Sequence, residues 1–147
     1  MSLKDWLLKK LSGDTSAKLE LSAEEETLSG LNLKNVIDAH LDWKVKLNST
    51  LDGSSTEKYE VKTVSQDNLC ILGKWLYGPG KQLYSKLPEY EALKKVHAEF
   101  HVCAGGILND HNNGNADIAA NKLGREFKDL SNQIQLDLVR LFTTAKT

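Results

Sequence analysis

From Leu31 onward the chain sets a stripe of positions mostly three or four apart: Leu33, Val36, Ile37, His40, Leu41, Lys44, Leu47 and Leu51. That spacing lines one face of an α-helix, and Asp52-Gly53-Ser54-Ser55 supplies its end. A polar connection follows, and Asp67 is placed to cap a shorter helix through Leu69, Leu72, Trp75 and Leu76 that carries Cys70 and stops at Gly78-Pro79-Gly80. Pro88 suits the first turn of another helix, with Leu93, Val96, His97, Phe100, His101, Ala104 and Leu108 on its inward stripe and Asn112-Asn113-Gly114 at its close. A last helix runs through Leu123, Phe127, Leu130, Ile134, Leu138 and Leu141. No strand-like alternation interrupts the series. The pattern predicts an all-α fold, an antiparallel four-helix bundle with a short additional helix. At the N-terminus, Leu3, Trp6, Leu7, Leu8 and Leu11 predict a short amphipathic helix, and the polar stretch from Ser12 to Ser29, with its Glu24-Glu25-Glu26 run, reads as a linker. The expected division is therefore an N-terminal amphipathic segment and linker over 1–30 and a helical bundle over 31–147.

Composition narrows the partners. The 147 residues fit one domain able to bury a core without disulfides. With 19 Lys plus Arg against 20 Asp plus Glu there is no basic field to hold a phosphate backbone, so nucleic acid is not expected. No apolar run reaches the roughly 20 residues of a membrane span. Lys4, Asp5, Lys9 and Lys10 break up what a secretory signal would need as an apolar core. Two cysteines, Cys70 and Cys103, are too few for a disulfide framework and point to a reducing, cytoplasmic setting where thiolates stay free for metals.

The polar residues on the inward stripes carry the chemistry. His97 and His101 stand four apart, on one helix face, and can offer two imidazole nitrogens to one ion. His40 lies on the inward stripe of a different helix, where its desolvation has to be offset by a hydrogen bond or a metal. Cys70 adds a soft sulfur donor. Three nitrogen donors and one sulfur suit tetrahedral zinc better than magnesium or calcium, which prefer oxygen. The string His97-Ala98-Glu99-Phe100-His101 does not make a zinc protease: Glu99 sits about 200° around the helix from His97, out of reach of a metal-bound water. Four protein ligands would also close the shell that hydrolytic zinc keeps open. A di-iron bundle needs Glu three before each ligating His, whereas Lys94 and Ala98 occupy those positions. No enzymatic activity is expected. Trp43 and Trp75 read as core packing, Cys103 as a structural thiol facing away from the ion, and His111 as an exposed turn residue. Gly73 reads as a close-approach position, and Gly78 with Gly80 as helix terminators.

Three blocks stand out: His40-Leu41-Asp42-Trp43-Lys44; Cys70-Ile71-Leu72-Gly73-Lys74-Trp75-Leu76-Tyr77-Gly78 with Gly80; and His97-Ala98-Glu99-Phe100-His101. In them the chain resembles the chemoreceptor zinc-binding (CZB) domain family over roughly Leu31 to Leu108. The resemblance implies a four-helix bundle that binds Zn2+ through three histidines and one cysteine, here His40, Cys70, His97 and His101. It also implies homodimerisation and attachment to, or action on, chemoreceptors and diguanylate cyclases. The function expected on this basis is sensory or regulatory, with zinc occupancy or Cys70 oxidation modulating a signalling partner. The alternative is a non-catalytic helical adaptor with a purely structural zinc or no metal. Family domains commonly accompany a receptor or enzymatic domain; none is recognisable here, which leaves open a separate partner or a longer parent protein.

Overall fold

A computed structural model describes Trp6, Lys9 and residues 27–146. The expected helix over Leu3 to Leu11 lies outside the described residues except for Trp6 and Lys9, both helical, with Trp6 buried. The described chain is mainly helical. A two-stranded antiparallel hairpin, β1 (Thr27–Leu28) and β2 (Leu31–Asn32), leads into α1 (Leu33–Leu51). Then come α2 (Val61–Val64), α3 (Ile71–Tyr77), α4 (Pro79–Tyr84), α5 (Pro88–Asn112), α6 (Ala116–Gly124) and α7 (Glu126–Ala145).

Local chemistry accounts for these boundaries. Asn32 caps α1 by accepting the Asn35 N–H at 2.9 Å, satisfying an amide the helix cannot. Gly53, at φ +79, lets the chain leave α1 in a left-handed turn. Pro88 opens α5 with the fixed φ a first turn wants. The central helix α5 buries Tyr90, Leu93, Val96, Phe100, Ala104, Ile107 and Leu108. It packs most extensively on α7, whose Phe127, Ile134, Leu138, Leu141 and Phe142 complete one continuous core. Phe100 and Phe127 meet at its middle, ring centroids 4.8 Å apart.

Several expectations need correction. The polar lead-in is not linker to its end, because Thr27 and Leu28 pair with Asn32 and Leu31 and bury Leu28 in the core. The connection after α1 contains a helical turn, α2, whose Val64 is buried. Asp67 does not cap the helix after it; Cys70 does, so Cys70 precedes α3 and Leu69 is exposed at 46 %. Gly78 and Gly80 do not simply terminate: α4 restarts at Pro79, and Gly80 is buried within it. The final stripe is divided between α6 and α7 at Gly124 and Arg125. On α1, Leu41 and Lys44 face outward rather than inward.

Helix α2 reaches α5 closely because position 105 is glycine. A Cβ there would fall 1.8 Å from Ser65 Oγ and 2.9 Å from Ser65 Cβ. Gly105→Ala is therefore expected to push α2 off α5 and destabilise the fold by about 1–3 kcal/mol, in the range of core overpacking. Urea denaturation monitored by circular dichroism measures this as a lowered midpoint at unchanged slope.

Candidate metal centre

Each of the four side chains reaches the same point by a different local route. His40 comes from the middle of α1, buried, with its Nδ1–H donating to the Val36 carbonyl one turn back at 2.8 Å. That bond leaves the Nε2 lone pair facing inward, and Nε2 is buried without a hydrogen-bond partner. His101, on α5, donates Nδ1–H to the Val64 carbonyl of α2 at 3.0 Å, which turns its Nε2 inward in the same way. His97, one turn earlier on α5, is fully buried and directs Nε2 at the same place. Cys70 arrives from the N-cap of α3, where its extended backbone projects Sγ toward α5 and the Gly73 N–H donates to that sulfur at 3.3 Å.

The four donors lie within 4.8 Å of one another. His97 Nε2 is 3.1 Å from His101 Nε2 and 3.2 Å from Cys70 Sγ, and Sγ is 3.6 Å from His101 Nε2. A tetrahedral ion with Zn–N near 2.05 Å and Zn–S near 2.3 Å has edges of about 3.3 Å between nitrogens and about 3.6 Å between nitrogen and sulfur. The cluster thus already has the dimensions of a zinc tetrahedron on its α3–α5 side. The His40 ring stands edge-on to both others, with centroids 5.2 Å from His97 and 5.9 Å from His101.

Electrostatics favour lone pairs over protons here. Burial, reinforced on His97 by the other two imidazoles, lowers His40 to about 4 and His97 to about 2 and also lowers His101. All three are neutral bases at physiological pH. Burial raises the Cys70 thiol, opposed by the backbone N–H groups at the start of α3. Neutral nitrogens, a thiol short of a counter-charge, and an unpartnered His40 Nε2 together make a donor set that a soft dication fits and that water fits poorly.

The surrounding residues agree with some expectations and revise others. Glu99 is exposed, on the far side of α5 from the cluster. Cys103 is half-buried and outside it, its thiol raised to about 11 by burial. His111 lies at the far end of α5, half-buried rather than exposed. Trp75 packs in the core, but Trp43 is only half-buried, facing Tyr59 at 5.4 Å with Lys46 over its ring. Trp43 and Tyr59 line a cavity of about 440 Å³ whose wall also includes Val64, Leu69, Cys70 and His101. Two contributors went unread in the sequence: the Val64 carbonyl that orients His101, and Phe100, which packs edge-on against His40 and His101. Val61 and Val64, three apart in a polar stretch, were the only trace of the first.

Compared with known proteins, residues 40–108 match the family model for the chemoreceptor zinc-binding domain, a stretch that starts at His40 and includes Cys70, His97 and His101. That stretch is just under half of the chain. Among curated proteins the chain is similar to diguanylate cyclase DgcZ of Escherichia coli (strain K12), at 27% identity over 78 residues. That alignment covers 53% of this chain and 26% of the cyclase, so the chain spans about a quarter of that relative's length. No solved structure matches. Among the described residues, no helix is long and apolar enough to cross a membrane.

Gly73 fixes where the Cys70 sulfur stands. A Cβ at that position would lie 1.8 Å from the Asp67 carbonyl oxygen, a backbone atom that cannot swing aside. Gly73→Ala is expected to displace the first turn of α3 and cost about 10–100-fold in metal affinity, the usual scale for disturbing the support of a ligand. Competition with a chromogenic chelator reads the loss, with far-UV circular dichroism confirming that the helices persist.

Proposed function

We propose that this chain is a zinc-responsive regulatory module in which His40, Cys70, His97 and His101 together ligate one Zn2+. The observation that carries this reading is the convergence of four donors, from α1, the cap of α3 and α5, at zinc-like separations with their lone pairs turned inward. When bound, the ion supplies a cross-link between elements far apart in sequence. The protein's part is to hold the imidazoles neutral, fix two of their tautomers by the Val36 and Val64 carbonyls, and steady the thiolate with the Gly73 amide. Four protein ligands leave no open position, so the proposed role is regulatory and not hydrolytic. The metal-binding unit is assigned to 31–147 with 1–30 as its lead segment, the end of which, Thr27–Leu28, pairs into the domain as β1, in the cytoplasm. The proposed output is a signalling partner such as a diguanylate cyclase or a chemoreceptor, with the module acting as a homodimer.

A ligand that binds only the folded state at 100 times its Kd stabilises that state by about 2.7 kcal/mol. Protein purified without added metal is expected to contain one zinc per chain, and Cys70→Ala and His97→Ala to contain less than a tenth of that by elemental analysis. Stripping the wild type with a strong chelator is expected to lower Tm by roughly 5–10 °C. A wild-type chain persistently free of transition metal would sink the assignment.

One feature supports a second mode of control. The cavity beside Trp43 and Tyr59 has Cys70 in its wall, giving small reagents a path to one of the four ligands. In that mode a two-electron oxidant converts the thiolate to sulfenic acid and weakens one metal bond. Controlled peroxide treatment should then release zinc in step with Cys70 modification seen by mass spectrometry; full retention of zinc on modified protein would eliminate it.

A further inference from the structure

Trp75 sits on α3 just beyond the capping Cys70, and its indole leads away from the metal centre to a distant stretch of chain. Nε1–H donates to the Ser29 carbonyl at 3.1 Å. Ser29 begins the turn between β1 and β2, and its hydroxyl shares a 2.7 Å hydrogen bond with the Tyr84 hydroxyl of α4. The Trp75 and Tyr84 rings stack at 5.8 Å, and a Cβ on Gly80 would lie 2.7 Å from the Trp75 ring. The indole therefore has little room to move except with α3 and α4 together. At the other end of α3, Cys70 is built into the helix by the Lys74 N–H on its carbonyl at 3.0 Å and the Gly73 N–H on its sulfur.

The turn these bonds hold is strained. Ser29 has φ +48, a left-handed value that non-glycine residues adopt only when surrounding contacts over-determine it. Among the described residues, its carbonyl bond to Trp75 and its hydroxyl bond to Tyr84 are contacts of this kind, joined by the burial of Leu28 and Leu31.

We propose that the β1–β2 hairpin is the output lever of the metal centre: α3 couples ligation of Cys70 to the Trp75–Ser29 hydrogen bond. The state of the sulfur then sets how firmly the hairpin is held against the domain. This rests on the metal reading above. With zinc bound, α3 is fixed at its Cys70 end and presents Trp75 to Ser29; with the ligand released, α3 and α4 shift, the bond lengthens, and the strained turn relaxes.

Hydrogen exchange read by mass spectrometry on the full chain tests this, with and without zinc. In the wild type, chelation is expected to speed exchange of the amides over 27–32 at least fivefold. Trp75→Phe keeps the ring and removes only the donor. That variant should still bind one zinc per chain, but its hairpin should exchange fast in both metal states, with less than a twofold difference between them. Tyr84→Phe, which deletes the second bond, should raise hairpin exchange at least twofold in the zinc-bound protein and gives an independent reading if Trp75→Phe does not fold. The lever is overturned if the wild type binds zinc yet its hairpin exchanges equally with and without it. It is likewise overturned if Trp75→Phe keeps the full zinc dependence, or if Tyr84→Phe leaves the hairpin unchanged. A wild type that takes up no zinc fails at the earlier step, and the metal reading falls with it.

Discussion

The structure turns on a crowding of nitrogen and sulfur donors that face one another, with His40 Nε2 among them buried and unpartnered. Three neutral, buried imidazoles and a half-buried thiol bring their donor atoms within 4.8 Å of one another, and the carbonyls of Val36 and Val64 take up the protons on the outer nitrogens of two of the rings. A buried polar atom without a partner costs about 1–3 kcal/mol, and several facing one another cost more than any one alone. A single dication would answer the inward-facing donors at once, though not the outer Nδ1 of His97, which is also buried without a partner.

The routes to the cluster differ in rigidity, and that difference shapes what an ion could control. His97 and His101 stand on α5, the longest helix, anchored along its length by Phe100, Ile107 and the face of α7. His40 is set in α1, whose Leu33, Val36, Ile37 and Leu47 are buried around it. Cys70 is mounted differently: it lies half-buried at the cap of a seven-residue helix whose Leu72, Trp75 and Leu76 are buried, after a stretch tied to the body by α2 and by the Gly73 contact with Asp67. Two rigid helices thus offer the three nitrogens, and a short, separately mounted one offers the sulfur. Of the four, the sulfur is the ligand mounted on the shortest of their helices and the one that is half-buried.

How much of this could be read in the sequence follows from which forces act locally. The long helices were legible because burial of an amphipathic face writes a period into the residues, and the four donors were legible because each stands in or beside such a face. The four-residue α2 and the two-residue strands are too short to write a period, and they exist because tertiary contacts hold them. Cys70 was read as lying inside a helix, since Leu69 and Leu72 continue the spacing. The Asp67 backbone folds over Gly73 instead and starts the helix one residue after the cysteine, leaving Leu69 in the open. A close approach between backbones is invisible in a pattern of side-chain polarity; glycine at 73 and at 105 was its only written sign. Trp43 packs against the core as expected, but only half-buried, with its ring also lining the cavity.

These unequal mountings bear on whether a metal here would be a staple or a switch. Helices as short as α2, α3 and α4 are marginal alone, because so few hydrogen bonds must offset the cost of nucleation, so their order depends on what they are fastened to. The long helices α1, α5 and α7 carry much of the buried apolar core, and α2, α3 and α4 contribute fewer buried residues. Binding at the cluster would tie α1 to α5 through the three imidazoles and fasten the start of α3 to both through the sulfur, and the short helices are where local opening is least costly. Zinc bonded to α1 and α5 alone would be structural; zinc whose fourth bond goes to the cap of a short helix, itself bonded through Trp75 to a strained turn, would act where the fold can rearrange. The regulatory reading is preferred over a permanent staple on that ground.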